Sequence, residues 1–541
     1  MASGAWLQEP FSFLGPPRSD PEEVDPTSTS TFHSILSETA DPAAADDGGE
    51  APEFFADLHL DDIVGSITAG RESQGFASIF YEPLPDARAI TYRHDVFRDL
   101  EDDALLETVR SFGQQMQNVQ RRLIHASKSG HVFDQERWRL GAADPYAVAV
   151  GSLNEQLRAA RLQSAGLRAF RDYLAAYVAS DAFTSLVADT ERLKRVVAGV
   201  SYRLRIHGPK VTVTRFAPEP DYSAEVLATF DKFRQGASTK YSWRFDQGSD
   251  MNHVEAAILE RVARLYPEAF ADLREYAARH GDFLDPAIAR FEREVQFYVA
   301  YRDFMDRVRR GTGLSFCYPK VVAGSHAVEG HAVFDLALAD SLVRKGRGVV
   351  VNDIALSGAE RIIVVSGPNQ GGKTTFARAM GQLHHLARIG VPVPGDHLRL
   401  PLVDQVFTHF ERQEQVEDLA SKLEDDLRRI HLILEKATSA SLLIMNESFS
   451  STTVGDQLFI GRRVIRQIVD CGLLCVVVTF LDELSTLDQA IVSMVSTVDP
   501  NDVTRRTFEI VRRPADGLAY ALTIAEKHRV TYPSLKERLA R

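Results

Sequence analysis

The chain has 541 residues, 44% hydrophobic and 25% charged. These are ordinary globular values with room for about three domains of roughly 100–200 residues. A lone small module is excluded, and no run nears the roughly 18 consecutive apolar residues of a membrane helix, so no membrane partner is expected. The formal net charge is −13, and the three cysteines (Cys317, Cys471, Cys475) are too few for a disulfide framework. MASGAWLQEPFSFLGPP lacks the basic and apolar regions of a leader, which leads to the expectation of a cytoplasmic protein. Cys471 and Cys475 have no His or Cys cluster beside them and read as core packing rather than a metal site.

Residues 1–50 hold ten acids and one base, Arg18, so they carry −9 of the total. Rich in Pro, Ser, Thr, Ala and Asp, this stretch reads as a disordered acidic tail, with too little apolar surface to offset its ordering entropy. From residue 51 apolar residues recur at helical spacing, which predicts long helices through Val96–Leu123, Leu153–Val200 and about Met251–Arg309. Between the last two, YRLRIHGPKVTVTRF (Tyr202–Phe216) alternates around a His-Gly-Pro turn and predicts a small β patch. Leu193–Phe245 holds ten Lys/Arg against four acids, a local basic belt interleaved with aromatics. Its Arg203, Arg205, Lys210, Arg215, Lys232, Arg234 and Lys240 are candidates for contact with a nucleic-acid backbone, and the same aromatics also suit a core. Phe80-Tyr81-Glu82 reads as packing at the start of the helical core, because Pro83 follows at once.

Beyond a Gly-containing break near Arg310–Gly313 the pattern changes to short β-branched runs, Arg361–Ser366, Ser441–Met445 and Leu473–Thr479, with helices between them. That alternation is an α/β signature. RIIVVS runs directly into Gly367-Pro368-Asn369-Gln370-Gly371-Gly372-Lys373-Thr374-Thr375 and then a helical pattern. This is the strand, loop and helix order of a phosphate-binding loop. Glycines let backbone N–H groups curl around phosphate, Lys373 pairs with phosphate oxygens, and the Thr374 hydroxyl suits Mg²⁺. A second buried strand ends in Asn446-Glu447. Glu447 can polarise a water, whereas Asn446 offers a neutral carbonyl where phosphate-transferring ATPases usually place an Asp. His384, His385 and His409 read as structural or solvated.

GPNQGGKTTFARAMGQLHHLARIGVPVPG, with Pro-Asn after the first glycine, resembles the ATPase domain of the MutS family of DNA mismatch-repair proteins. Val403–Thr408 is similar to that family's I-D-x-I-F-T strand. The resemblance implies an α/β P-loop ATPase domain of ABC-like type with a C-terminal dimerisation element over 313–541. A helical core, lever and clamp with a small β patch would occupy 51–312, behind the tail of 1–50. It implies ATP and Mg²⁺ as ligands, a homodimer through the ATPase domain, and duplex or branched DNA as a partner. Residue by residue, Ser421 falls where the family has a signature loop reaching the partner's nucleotide, with Asp426 in place of its glutamate. Asn446–Asp456 aligns with the D-E motif and D-loop, where Glu447, Thr452 and Asp456 match and Asn446 departs. Phe480 stands where the family has a histidine, and a phenyl ring neither donates to phosphate nor relays a proton. Gly517–Ala521 is similar to an element ahead of the family's dimerisation helices.

The expectation is a shortened relative without the mismatch-reading domain: an ATPase acting as an ATP-gated DNA clamp in repair or recombination. Glu447 would activate water, Thr374, Asn446 and Glu447 would hold Mg²⁺, and turnover would be weakened by Asn446 and Phe480. The alternative is a nucleotide-gated protein-interaction module with little or no hydrolysis.

Overall fold

The computed structural model describes residues 32–38, 50–217, 251–411, 419–499, 502–515, 531–532 and 535–536. Lys232, Arg234, Lys240 and Gly517–Ala521 lie outside the described residues.

In chain order the helical region comprises α1 (Phe54–Leu58), α2 (Leu60–Thr68), α3 (Ala87–Asp99), α4 (Asp103–Lys128), α5 (Val132–Ala159), α6 (Ala165–Val178) and α7 (Asp181–Ala198). The antiparallel hairpin β1 (Tyr202–His207) and β2 (Lys210–Arg215) follows, and then α8 (His253–Leu265), α9 (Pro267–His280) and α10 (Pro286–Thr312). The hairpin is the β patch that alternation predicts. The long helices expected over 96–123, 153–200 and 251–309 are each cut. Asp102 accepts from the N–H groups of Ala104 and Leu105 and restarts the chain as α4. Ser164 and Ser180 likewise start α6 and α7. Asn252 forms a capping box with Glu255, Pro267 opens α9, and Asp285 caps α10 ahead of Pro286. Apolar periodicity carries across each break, and a cap side chain breaks it by satisfying orphan N–H groups. Gly313, with φ 73°, closes α10, where the composition changes.

The C-terminal region begins with β3 (Phe316–Cys317), β4 (Lys320–Val322), β5 (Val328–Val333), α11 (Leu336–Val343) and β6 (Asn352–Leu356). It continues through β7 (Ile362–Ser366), α12 (Lys373–Arg388), β8 (Val393–Pro394), β9 (His397–Pro401), β10 (Val406–Phe410) and α13 (Leu419–Lys436). Last come β11 (Leu442–Asn446), α14 (Val454–Cys471), β12 (Leu474–Val478), β13 (Ile491–Asp499) and β14 (Asp502–Arg512). The main sheet has the order β10-β11-β12-β7-β13-β14, parallel except for the antiparallel edge strand β14. β7 and β12 are buried along their whole lengths, which is why they read as continuous apolar runs. A smaller sheet, β4-β9-β5-β6, lies beside it.

A boundary at residue 312 does not divide the packing. One hydrophobic cluster runs from Phe32 through the helices into β7, α12 and β13. The first helices lie on the C-terminal region: the Gln382 amide donates to the Leu58 carbonyl, and Thr408 Oγ1 donates to the Asp57 carboxylate at 2.6 Å. Phe80, read as core, is 1% exposed and packs on Phe297. The disordered-tail expectation fails for residues 32–38, which lie on the helical core with Phe32, Ile35 and Leu36 buried. Three buried apolar side chains, each contributing about 1.5–3 kcal/mol, are concealed when composition is averaged over fifty residues. No helix of the described residues is long and apolar enough to cross a membrane.

Candidate functional site

The C-terminal ends of the parallel strands β7, β11 and β12 meet at one edge of the main sheet, where ligands of open α/β sheets bind. The loop after β7 is held tightly. Gly367 has φ 111° and Gly372 φ 90°, and a Cβ on Gly371 would sit 2.1 Å from Ser496 Oγ of β13. Ser496 Oγ instead donates to the Gly371 carbonyl at 2.7 Å, and Arg506 Nε donates to the Asn369 carbonyl at 3.1 Å. Pro368 is buried, while Asn369 and Gln370 are exposed, Gln370 in a left-handed conformation. Gly372 is the N-cap of α12 and offers no side-chain cap, so the first N–H groups of the helix face the cavity with their partial positive charge.

Lys373, the first residue of α12, is 4% exposed. Its Nζ donates to the carbonyls of Gly367 at 3.0 Å and Pro368 at 3.2 Å, and it lies 4.2 Å from the centre of the Phe480 ring. Burial pulls its pKa below the usual lysine value, Glu447 opposes that, and Arg506 adds to it. Thr374 Oγ1 donates to Asn446 Oδ1 at 2.9 Å, spanning from α12 to the end of β11. Glu447 follows in a left-handed conformation with φ 51°, its N–H bonded to the Val478 carbonyl of β12 at 3.0 Å. Phe449, two residues on, has φ 64° and is buried. Non-glycine residues in this region persist where surrounding packing holds them. Here the turn directs Glu447 into the cavity instead of along the strand.

That cavity measures about 430 Å³ and is lined by Asn369–Phe376 and Glu447 on the loop side. The rest of its lining is mostly apolar, with Leu338, Leu342, Val349, Val350 and Phe508 alongside the polar Asp335, Arg347 and Asn352. Phe508 is 49% exposed with φ 64°. Sequence reasoning missed this apolar lining, since its members come from α11, the segment before β6, and β14, and share no motif. A mostly apolar slot beside a glycine-rich, positively charged cradle fits the two halves of a nucleotide, base and phosphates. For a divalent cation, Thr374 Oγ1 and Asn446 Oδ1 form a neutral oxygen pair with Glu447 close by, a donor set suited to Mg²⁺, which keeps part of its water shell.

His409 on β10, read as structural or solvated, takes a structural place behind the site. It is buried, its Nδ1 is 2.8 Å from Ser448 Oγ, and its Nε2 is 3.1 Å from the Asp426 carbonyl. It therefore supports the turn behind Glu447 and ties it to α13. Burial, with Arg429 nearby, lowers its pKa to about 4. His384 and His385 are buried on α12 and bonded to the carbonyls of Met380 and Phe80, the structural role read for them.

Ser421 lies on α13 rather than in a loop, with Asp426 one turn on. The Asp426 carboxylate is buried, 3.8 Å from His409 Nε2 and 3.9 Å from Arg429. Asp456 is exposed at the start of α14, where Thr453 Oγ1 donates to it at 2.9 Å. On the hairpin, register puts Arg203, Arg205 and Lys210 on one face with Thr212 and Thr214. Arg215 is on the opposite face, bonded to the Leu265 carbonyl and stacked over Tyr266. It thus fastens the hairpin to α8, and Arg203 likewise donates to the Ala217 carbonyl at 2.7 Å.

Residues 363–530 match the family model for MutS domain V. The chain is 29% identical over 189 residues to Endonuclease MutS2 of Gemmatimonas aurantiaca, covering 34% of this chain and 23% of that protein. It is 27% identical over 237 residues to DNA mismatch repair protein MutS of Thermotoga neapolitana, covering 43% and 28%. It is 32% identical over 145 residues to the protein of the same name from Thermosipho melanesiensis, covering 26% and 17%. The matched part thus spans between 17% and 28% of the length of these relatives.

Proposed function

The chain belongs to the MutS family through its domain V, and from that premise we propose that it is an ATP-binding, ATP-hydrolysing protein that acts on DNA as a nucleotide-gated clamp. The observation that carries this reading is the convergence of Lys373, the Thr374–Asn446 pair and Glu447 on one cavity with a mostly apolar wall. Lys373 and the α12 N-terminus bind and orient the phosphates. Phe508 and Val349–Val350 take the base. Glu447 holds a water by accepting its proton and aims it at the terminal phosphorus. Thr374, Asn446 and Glu447 would hold Mg²⁺, which supplies neutralisation of phosphate charge when bound. The neutral amide of Asn446 lowers that affinity relative to a carboxylate.

Arg203, Arg205 and Lys210 form the backbone-contacting face of the hairpin, and a second copy completes the clamp, with Ser421 and Asp456 nearest the shared nucleotide. Binding of this kind weakens steeply with salt and carries little sequence preference. A nucleotide can drive closure only through different affinities for the open and closed forms.

A second reading, a nucleotide-gated interaction module with little turnover, is favoured by one contact. The Phe480 ring rests on Lys373 where a hydrogen-bonding side chain would serve hydrolysis. Steady-state ATP hydrolysis with and without duplex or branched DNA decides between them. DNA-stimulated turnover that Glu447→Ala and Lys373→Ala both abolish supports the clamp ATPase. Tight ATP binding with turnover no higher than that of Glu447→Ala supports the module.

A further inference from the structure

Residues 32–38 lie in no strand or helix, yet the backbone from His33 to Leu36 is met by side chains at every carbonyl. Four successive carbonyls are each met by a side chain of the helical core. Arg290 donates to His33 O at 2.8 Å, Tyr92 Oη to Ser34 O at 2.8 Å, Tyr298 Oη to Ile35 O at 2.6 Å, and Arg93 Nε to Leu36 O at 3.0 Å. Glu294, 4% exposed, receives Ser34 Oγ at 2.8 Å and the Ile35 N–H at 2.9 Å. Phe32 sits edge-on to Phe170 at 5.0 Å, and Ile35 is fully buried. Gly166 makes room: a Cβ there would stand 2.9 Å from Tyr92 Oη and 3.4 Å from Ile35 Cα.

Core helices ordinarily bury ionisable side chains only when something meets them. Here a buried carboxylate, Glu294, has its partners and a buried guanidinium, Arg93, one of its two in a seven-residue segment far away in the chain. We infer that the groove between α3, α6 and α10 is a peptide-recognition site for a bent Phe-x-Ser-Ile-Leu segment, held in cis by residues 32–38 and released by negative charge at Ser34.

Specificity follows from the contacts. The groove reads the Phe32, Ile35 and Leu36 side chains and the Ser34 hydroxyl, but only the carbonyl of His33, whose side chain is exposed. A phosphoryl group or a glutamate at position 34 would face the Glu294 carboxylate and lose the hydroxyl's donor. Arg93 also donates through its other arm to the Ile389 carbonyl at 2.8 Å, at the C-terminal end of α12. Occupancy of the groove is thereby linked to the helix that begins with Lys373. This link rests on the nucleotide reading, whereas the recognition site does not.

The test uses the full chain with a specific protease site inserted within residues 39–49, cut after folding. The severed N-terminal piece is expected to co-elute with the remainder on gel filtration at low micromolar concentration. Ile35→Asp or Ser34→Glu should release it, and His33→Ala should not. Separation of the wild-type piece, or retention of the Ile35→Asp piece, overturns the proposal. As a check that the variants fold, a labelled synthetic peptide of residues 30–40 should bind cut, cleared Ser34→Glu protein saturably. It should bind uncut wild type at least tenfold more weakly; equal binding to both overturns the assignment to this groove. A dimer of the uncut chain that Ile35→Asp dissolves would overturn the cis arrangement in favour of exchange between copies. Fluorescent-ATP affinity should shift severalfold on release, and an unchanged value overturns the link to α12 alone.

Discussion

The sheet-centred and helical regions both hide charged groups, but they do so in different ways. At the sheet, Lys373 and Glu447 sit at the start or just past the end of an element, where the chain turns and orphan backbone groups are available. In the helical region Arg93, Glu292 and Glu294 lie inside α3 and α10, on buried faces. The difference teaches that a charged group at an element's end can face a cavity, as Lys373 and Glu447 do, whereas one in mid-helix meets a partner in the fold.

The largest expected effect tests the sheet side. Glu447→Gln should lower ATP turnover by roughly 100-fold or more while leaving nucleotide affinity nearly intact. Turnover within threefold of wild type, in single-turnover measurements, would remove Glu447 from the role of general base. Lys373→Ala should weaken ATP binding by roughly 100-fold, about 2–3 kcal/mol for a lost charge-assisted contact, as read by calorimetry.

The helical side is tested through Glu292, which is 4% exposed and bonded to Gln120 at 3.4 Å. Burial raises its pKa to about 7. The carboxyl is neutral in both states at low pH. Above about 4.5 the unfolded chain loses the proton first, so stability falls as pH rises towards 7 and the full cost stands above it. Glu292→Gln should therefore stabilise by up to about 3 kcal/mol at pH 8 and by little at pH 5, in urea titrations. An equal effect at both pH values would show that Glu292 is not held neutral.

A smaller effect returns to the sheet. Asn446→Asp puts a full charge beside Thr374 and should raise Mg²⁺ dependence of ATP binding about tenfold, near 1.4 kcal/mol. The smallest concerns a cap: Asp102→Ala should cost about 1 kcal/mol in global stability, since it frees the first N–H groups of α4.

What was legible followed from locality. The loop from Gly367 to Thr375, its strand and its helix are contiguous, so their order alone announced a phosphate cradle. Glu447 was legible because it ends an apolar run. The hairpin was legible from alternation around Gly208. The helix breaks at Asp102, Ser164, Ser180 and Asp285 were present in the sequence as capping residues, but periodicity, taken alone, ran through them. The place of His409 behind the site was not legible, because nothing beside it in the chain marks it. Its partner Ser448 is 39 residues away and becomes adjacent only when β10 pairs with β11. The mostly apolar wall of the cavity and the docking of residues 32–38 share that character.

By itself, then, the sequence determined the strand–loop–helix with the pattern of a phosphate cradle, the carboxylate at a later strand end, the resemblance to MutS domain V and the basic hairpin. Each is encoded in consecutive residues whose spacing reflects backbone geometry. Only the tertiary structure decided which strands lie side by side, and hence that His409 backs Glu447, that Phe480 lies against Lys373, and that Arg215 meets the Leu265 carbonyl. It alone brought Ser34 and Ile35 to Glu294, some 260 positions on. The physical reason is that burial and pairing across the fold are properties of surfaces brought together, and one-dimensional spacing carries no record of which surface meets which.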